Sequence, residues 1–183
     1  MGVRASFALR TAAWAIDLIL LLALSLVVGM MAGSVFTLLA HQFHFSGLSH
    51  DPVGHLLTSG LLGVGIFILV TLLMMTLLSL PYNLMEAFFG WTPGKLATGL
   101  RVCNRDGSRA SFGQVFSRWL IKHNGILLSL LSFVGIPALF LGTPLQALVV
   151  GGCFMALAKD CLALHDHMCG TAVYEASSLE ATV

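Results

Sequence analysis

Charge is scarce in this chain. Asp, Glu, Lys and Arg make up 9% of its 183 residues, hydrophobic residues make up 57%, and the mean hydropathy is +0.93. A soluble domain carries about 25% charged residues, so a water-soluble globular body is excluded and an integral membrane protein is expected. The net charge is only +1, and no basic patch is interleaved with aromatics. Nucleic acid is therefore excluded as a partner. The four cysteines, Cys103, Cys153, Cys161 and Cys169, form no CxxC pair, and none lies in the loop placed on the outer, non-cytoplasmic side. No structural disulfide is expected. The "TPGK" stretch lacks the glycine spacing of a P-loop. No Ser/His/Asp or Cys/His arrangement stands out, and Asp166 beside His165 and His167 is too isolated for acid–base work. No enzyme and no cofactor are expected.

What the chain does have is long apolar runs. A helix needs about 20 residues to cross the hydrocarbon core. Four segments qualify as spans, at about residues 12–38, 56–80, 125–141 and 144–162. The second is expected to end before Pro81, where the ring and the missing N–H disfavour helix. Pro137 is a kink in the third. Thr143 is an N-cap of the fourth, with Pro144 at the first position and Gln146 closing a capping box. The first apolar run, Leu18 to Ala40, is longer than the 7–15 apolar residues of a signal peptide, so an uncleaved helix is expected.

Orientation follows from the basic residues. Arg4, Arg10, Lys95, Arg101, Arg105, Arg109, Arg118, Lys122 and Lys159 all fall on one side of the four-helix arrangement. The positive-inside rule places both termini, and the loop between helices two and three, in the cytoplasm. That loop, about residues 86–123, is more than a linker. "GLRVCN" reads as a strand and "RDGS" as a hairpin turn with Gly107 in the left-handed position. "SFGQVFSRWLIK" carries a capping box, Ser111 to Gln114. It sets Phe112, Val115, Phe116, Trp119 and Leu120 on one face, and Arg118 and Lys122 on another. That is an amphipathic helix lying at the inner interface.

Four pieces in order resemble the RDD family of bacterial inner-membrane proteins, named for an arginine and an aspartate in the first helix and a second aspartate near the end. They are "RTAAWAID" (Arg10, Asp17), "GWTPGKLATGLRVCNRDG", "SFGQVFSRWL" and "LALHDHMCGTAVYE" (residues 162–175). The resemblance implies one membrane domain over residues 1–183, and motif positions at Gly94, Lys95, Gly99, Arg101, Gly107, His165, Gly170 and Thr171. The family's basic residue just before "LHD" is absent here, Lys159 lying further back. Some members look like cation/proton antiporters, and others have no assigned role.

An ionisable side chain at bilayer depth is unfavourable by about 2.5–3.5 kcal/mol on insertion scales, so Asp17 needs a compensating partner. Arg10 and Asp17 are seven residues apart. On a helix that is about 700° of turn and roughly 10 Å of rise, one face but too far for a direct bond. Arg10 can snorkel to the headgroups. Arg118 or Lys122 is the expected donor to Asp17, and Asp17 and Asp166 are expected to converge with Arg10 and Arg118 on one cytoplasm-facing cluster. Such a cluster is either a site for protons and monovalent cations or a structural ion pair.

Other features read more simply. His41, His44, His50, Asp51 and His55 crowd the outer loop, and Cys161, His165, His167 and Cys169 crowd the end of the fourth span, but neither spacing matches a metal site. Ser25, Gly29 and Gly33 make a small-residue stripe for close helix contact, within the monomer or in a homodimer. The expected architecture is an all-α bundle of four membrane helices with a cytoplasmic β-hairpin and amphipathic helix. The expected functions are a small cation/proton exchanger or, alternatively, a non-transporting accessory protein that docks a partner through its basic insert.

Overall fold

The computed structural model describes residues 2–42, 52–132 and 139–180. His44, His50 and Asp51 of the outer loop and Pro137 lie outside the described residues. The chain forms two compact units: Ile19–Ser79, and Met1–Leu18 together with Leu80–Val183.

Two long helices dominate, α1 (Phe7–Gln42) and α2 (Pro52–Phe89). Each holds an apolar stretch long enough to cross a membrane, Phe7–Val35 and Gly60–Phe89. Large side chains such as Ile19, Met31, Leu61 and Leu69 are exposed along them. Apolar surface on that scale is not left to water, and these helices are not the buried core of a soluble protein. In the unit Ile19–Ser79, the small-residue stripe of α1 meets α2 within the chain. A Cβ on Gly29 would lie 2.0 Å from Thr71 Oγ1, one on Gly33 would lie 3.5 Å from Phe67 Cβ, and Ser25 is fully buried.

The helix boundaries differ from the sequence expectation at both prolines. Pro81 lies inside α2, which runs on to Phe89. Pro144 lies inside α6 (Leu139–Cys153), so Thr143 is a helical residue and not an N-cap. In an apolar medium a broken helix would expose several backbone groups to save one. The helix therefore continues past the ring at the loss of a single hydrogen bond.

The second unit contains α3 (Pro93–Ala97), β1 (Leu100–Asn104), α4 (Phe112–Lys122), α5 (Asn124–Ser132), α6, a 3-10 turn at Phe154–Leu157, α7 (Leu164–Cys169), β2 (Thr171–Glu175) and α8 (Ala176–Glu180). Gln146 ties α5 and α6 together, accepting from Gly125 N at 3.1 Å and donating to the Lys122 carbonyl at 3.3 Å.

The expected hairpin is corrected. The "RDGS" turn forms, with Gly107 at φ +88° and Asn104 N donating to Ser108 O at 2.9 Å. Beyond it there is one bridge, Cys103 to Arg109, and no returning strand. The chain has only Ala110 left before Ser111 caps α4, which is too little for a ladder. β1 instead pairs antiparallel with β2, Val102 opposite Val173. The far edge of β2 takes the N-terminal segment, through Ala5 N to Val173 O and Glu175 N to Val3 O. Ala5, Ala13, Leu100, Val102, Val115 and Val173 pack as the core beneath this sheet. The α4 capping box forms as its sequence predicts.

Candidate functional site: a buried charge network

Two carboxylates anchor a network of ion pairs in the unit Met1–Leu18 and Leu80–Val183. Asp166, fully buried on α7, meets Arg10 Nη1 at 2.6 Å through Oδ2 and Arg118 Nη1 through Oδ1. Its Oδ2 also accepts from Ala163 N at 3.1 Å, which caps α7 from inside. Arg10 Nη2 donates to the Cys161 carbonyl at 2.6 Å. Glu86, 2% exposed on the last turn of α2, meets Arg118 Nε at 2.8 Å, Lys122 Nζ at 2.9 Å and Lys95 Nζ. Arg118 joins the two halves and also donates to Thr171 Oγ1 at 3.1 Å. Four cations therefore face two carboxylates.

Arg118 does not sit on a solvated polar face of α4. It is 2% exposed, while Phe112 and Leu120 of the predicted apolar face are exposed. A buried guanidinium is tolerable only when paired, and Glu86 and Asp166 supply the pairs from either side.

Asp17 is held differently. Its donors are neutral: Tyr82 Oη and Gly94 N on Oδ1, and Thr92 Oγ1 on Oδ2, each at 2.6 Å. Thr92 is the N-cap of α3, Pro93 fills the first helical position, and Gly94 is buried against α1. The "WTPGK" stretch is thus a one-turn helix whose start is fastened to Asp17. The structure brings together Arg10, Arg118 and Asp166. It does not bring Arg118 or Lys122 to Asp17 as donors.

The other motif residues sort by position. Thr171 is fully buried between Arg118 and Asp166. Gly99, Gly107 and Gly170 take positive φ (+66°, +88° and +67°), where a side chain would be strained. Arg101 is exposed and, among the described residues, in no ion pair. His165 lies 3.8 Å from Asp166, but burial and the nearby Arg118 drive its pKa far down. It is neutral, and that approach is not a charge pair. Burial likewise lowers His123 to about 4.

Sequence reasoning missed Glu86 and undervalued Lys95. Glu86 is the single acidic residue of the apolar span Gly60–Phe89. An intramembrane carboxylate is a signal in its own right, but a helix ended at Pro81 leaves it in a loop.

Lys95 is the titratable member of the network outside the spans. Burial pushes its ammonium from 10.5 down to about 7, against the pull of Glu86, with Lys122 and Arg118 adding to the drop. The folded protein then loses a proton across pH 7–10.5 that the unfolded chain keeps, so Lys95 adds stability as pH rises through that window. The Cε resonance of 13C-labelled Lys95 is expected to titrate with a midpoint near 7, and Lys95→Gln identifies the signal. A midpoint near 10.5 would mean that Glu86 fully offsets the burial.

No curated protein and no solved structure matches the chain. A family model does match, over residues 4–170, a stretch that takes in Arg10, Asp17, the α3–β1 motif, Arg118 and Asp166. Together with the two long apolar helices, that match makes this a membrane protein belonging to the RDD family.

Proposed function

We propose that this RDD-family protein is a non-transporting, non-catalytic membrane accessory protein whose basic cytoplasmic insert docks a partner. In this reading the chain passes the inner membrane four times with both termini in the cytoplasm. The one-sided distribution of its nine Lys and Arg residues supports that topology.

One observation carries the reading: both oxygens of Asp17, Glu86 and Asp166 are already engaged by the protein's own donors. A monovalent cation needs several free oxygen ligands. Here it would have to displace those donors, beside four positive side chains at Glu86 and Asp166 and among three neutral donors at Asp17. The same groups suit a fastening. Arg10–Asp166 joins α1 to α7, Glu86–Arg118 joins α2 to α4, and Asp17 joins α1 to α3.

A second reading, cation/proton exchange, is favoured by Lys95. An amine titrating near 7 against Glu86, at the end of an apolar span, could carry the proton.

Proteoliposomes with an internal pH dye, pulsed with Na⁺, K⁺ or Li⁺, separate the two. The accessory reading expects a flat trace from folded protein and a lower protein level for Asp17→Asn. A cation-dependent pH change that is lost in Asp17→Asn or Lys95→Gln, at unchanged protein level, overturns it.

A further inference from the structure

Away from the charge network, a groove of about 610 Å³ opens between the end of α2, β1 and the start of α4. One wall is apolar: Phe88 and Phe89 are the last residues of the apolar span, and the ring of Phe112 lies tilted against that of Phe88, 5.3 Å between centres. All three rings are more than half exposed. The other wall carries Arg101 and Arg109. Both are exposed, and among the described residues neither guanidinium has an ion pair or a hydrogen bond. This differs from Arg105 across the turn, which bonds the His167 carbonyl at 3.0 Å. Nor do the two resemble Arg10 and Arg118, whose charges are met inside the protein.

Position decides what fits. The residues Ala87 to Gly90 that line the groove are where the span Gly60–Phe89 stops, so the groove lies at headgroup level. Exposed aromatic rings belong at that level. From the geometry we infer that the groove seats an anionic phospholipid of the adjoining leaflet, its phosphate between Arg101 and Arg109 and its upper acyl chains against Phe88, Phe89 and Phe112. Guanidinium pairs hold phosphate through several parallel N–H donors, and the volume lies in the range of small-molecule sites. Ser111 Oγ is not a further ligand, because it is committed to the α4 cap. The inference does not depend on which reading of function holds.

The full-length protein in neutral detergent, titrated with phosphatidylglycerol and read by native mass spectrometry, tests this. A basic residue near an anionic lipid surface is worth about a factor of five, so Arg101→Gln with Arg109→Gln is expected to weaken retention about thirtyfold. Arg105→Gln with Lys159→Gln removes the same charge outside the groove and is expected to leave retention near wild type. Phosphatidylcholine is expected to be retained no better than in the groove double variant, and inorganic phosphate at equal concentration is not expected to compete. Both doubles change exposed side chains, so matching thermal unfolding midpoints show that each is folded. Equal loss in the two doubles would mean bulk charge. Equal retention of phosphatidylcholine would mean apolar contact alone. Competition by phosphate would mean a free-anion site. No loss in either double would leave the arginines for an acidic partner. Each of these results overturns the proposal.

Discussion

Glu86→Gln is expected to destabilise the protein by about 3–5 kcal/mol, the range for removing one partner of a buried ion pair. The side chain keeps its shape, so no cavity accompanies the change. What is lost is the charge facing Lys95, Lys122 and Arg118. Four cations would then share one carboxylate, Asp166, which already holds two of them. The readout is the thermal unfolding midpoint in detergent, followed by a thiol-reactive dye. Cys103 is buried in the sheet and becomes reactive only when that unit opens, and the half-buried Cys153, Cys161 and Cys169 are replaced by serine in every variant so that the dye reports Cys103 alone. A charge origin has its own signature. Adding Lys95→Gln and Lys122→Gln to Glu86→Gln should recover part of the loss, although each removes a further native contact. If the triple variant is less stable than Glu86→Gln, the cost came from packing and not from unpaired charge.

The same residues mark what could be read from the chain before folding. Helical periodicity placed Arg10 and Asp17 on one face of α1, and they are on α1. Periodicity could not say that Arg10 would find its partner 156 residues away while Asp17 would take three neutral donors. That choice is made where β2 returns to pair with β1 and with the N-terminal segment, and no local pattern encodes such a return. The "RDGS" turn illustrates the same limit. Its glycine and aspartate were correctly read as turn chemistry, because a turn is settled within four residues. The strand partner was not, because ladders are settled by whichever apolar, β-branched segment reaches the edge. Here that segment is "TAVYE", four of whose five residues are fully covered.

Helix α4 was legible in its start and misleading in its faces. Ser111 and Gln114 cap it as the local pattern requires. But Arg118, set on the face away from the aromatics and expected as a donor to Asp17, is among the most buried of the described residues and is held between Glu86 and Asp166 instead. Charge predicts exposure only when no opposite charge is buried nearby. Two were, one of them on a helix extension past Pro81 that soluble-protein rules for proline argue against.

Gly94→Ala is expected to be nearly as damaging as the loss of Glu86, although it adds one methyl group. A Cβ on Gly94 would stand 2.1 Å from the Ala13 carbonyl oxygen and 2.7 Å from Asp17 Cγ. The first of these is backbone in the middle of α1, which cannot swing aside as a long side chain could. Instead α3 must move off α1, which breaks the 2.6 Å bond from Gly94 N to Asp17. Overpacking costs about 1–3 kcal/mol, and a hydrogen bond to a charged group contributes about 1.5–3 kcal/mol, so a combined loss of about 2.5–6 kcal/mol is expected. Asp17→Asn supplies the contrast. Its amide group can face Thr92 while its oxygen keeps the bonds from Tyr82 and Gly94, and it adds no volume, so its cost should not exceed the hydrogen-bond contribution alone, about 1.5–3 kcal/mol. Asp17→Ala combined with Gly94→Ala then tests the cause. Shortening residue 17 relieves the contact with Cγ and leaves the clash with the Ala13 carbonyl in place. Both single changes lose the Gly94 N–Asp17 bond, so if the double variant is as unstable as the sum of its parts less that one bond, the backbone approach of α3 to α1 is what makes glycine necessary at position 94. Full recovery would place the whole cost in the Asp17 side chain instead.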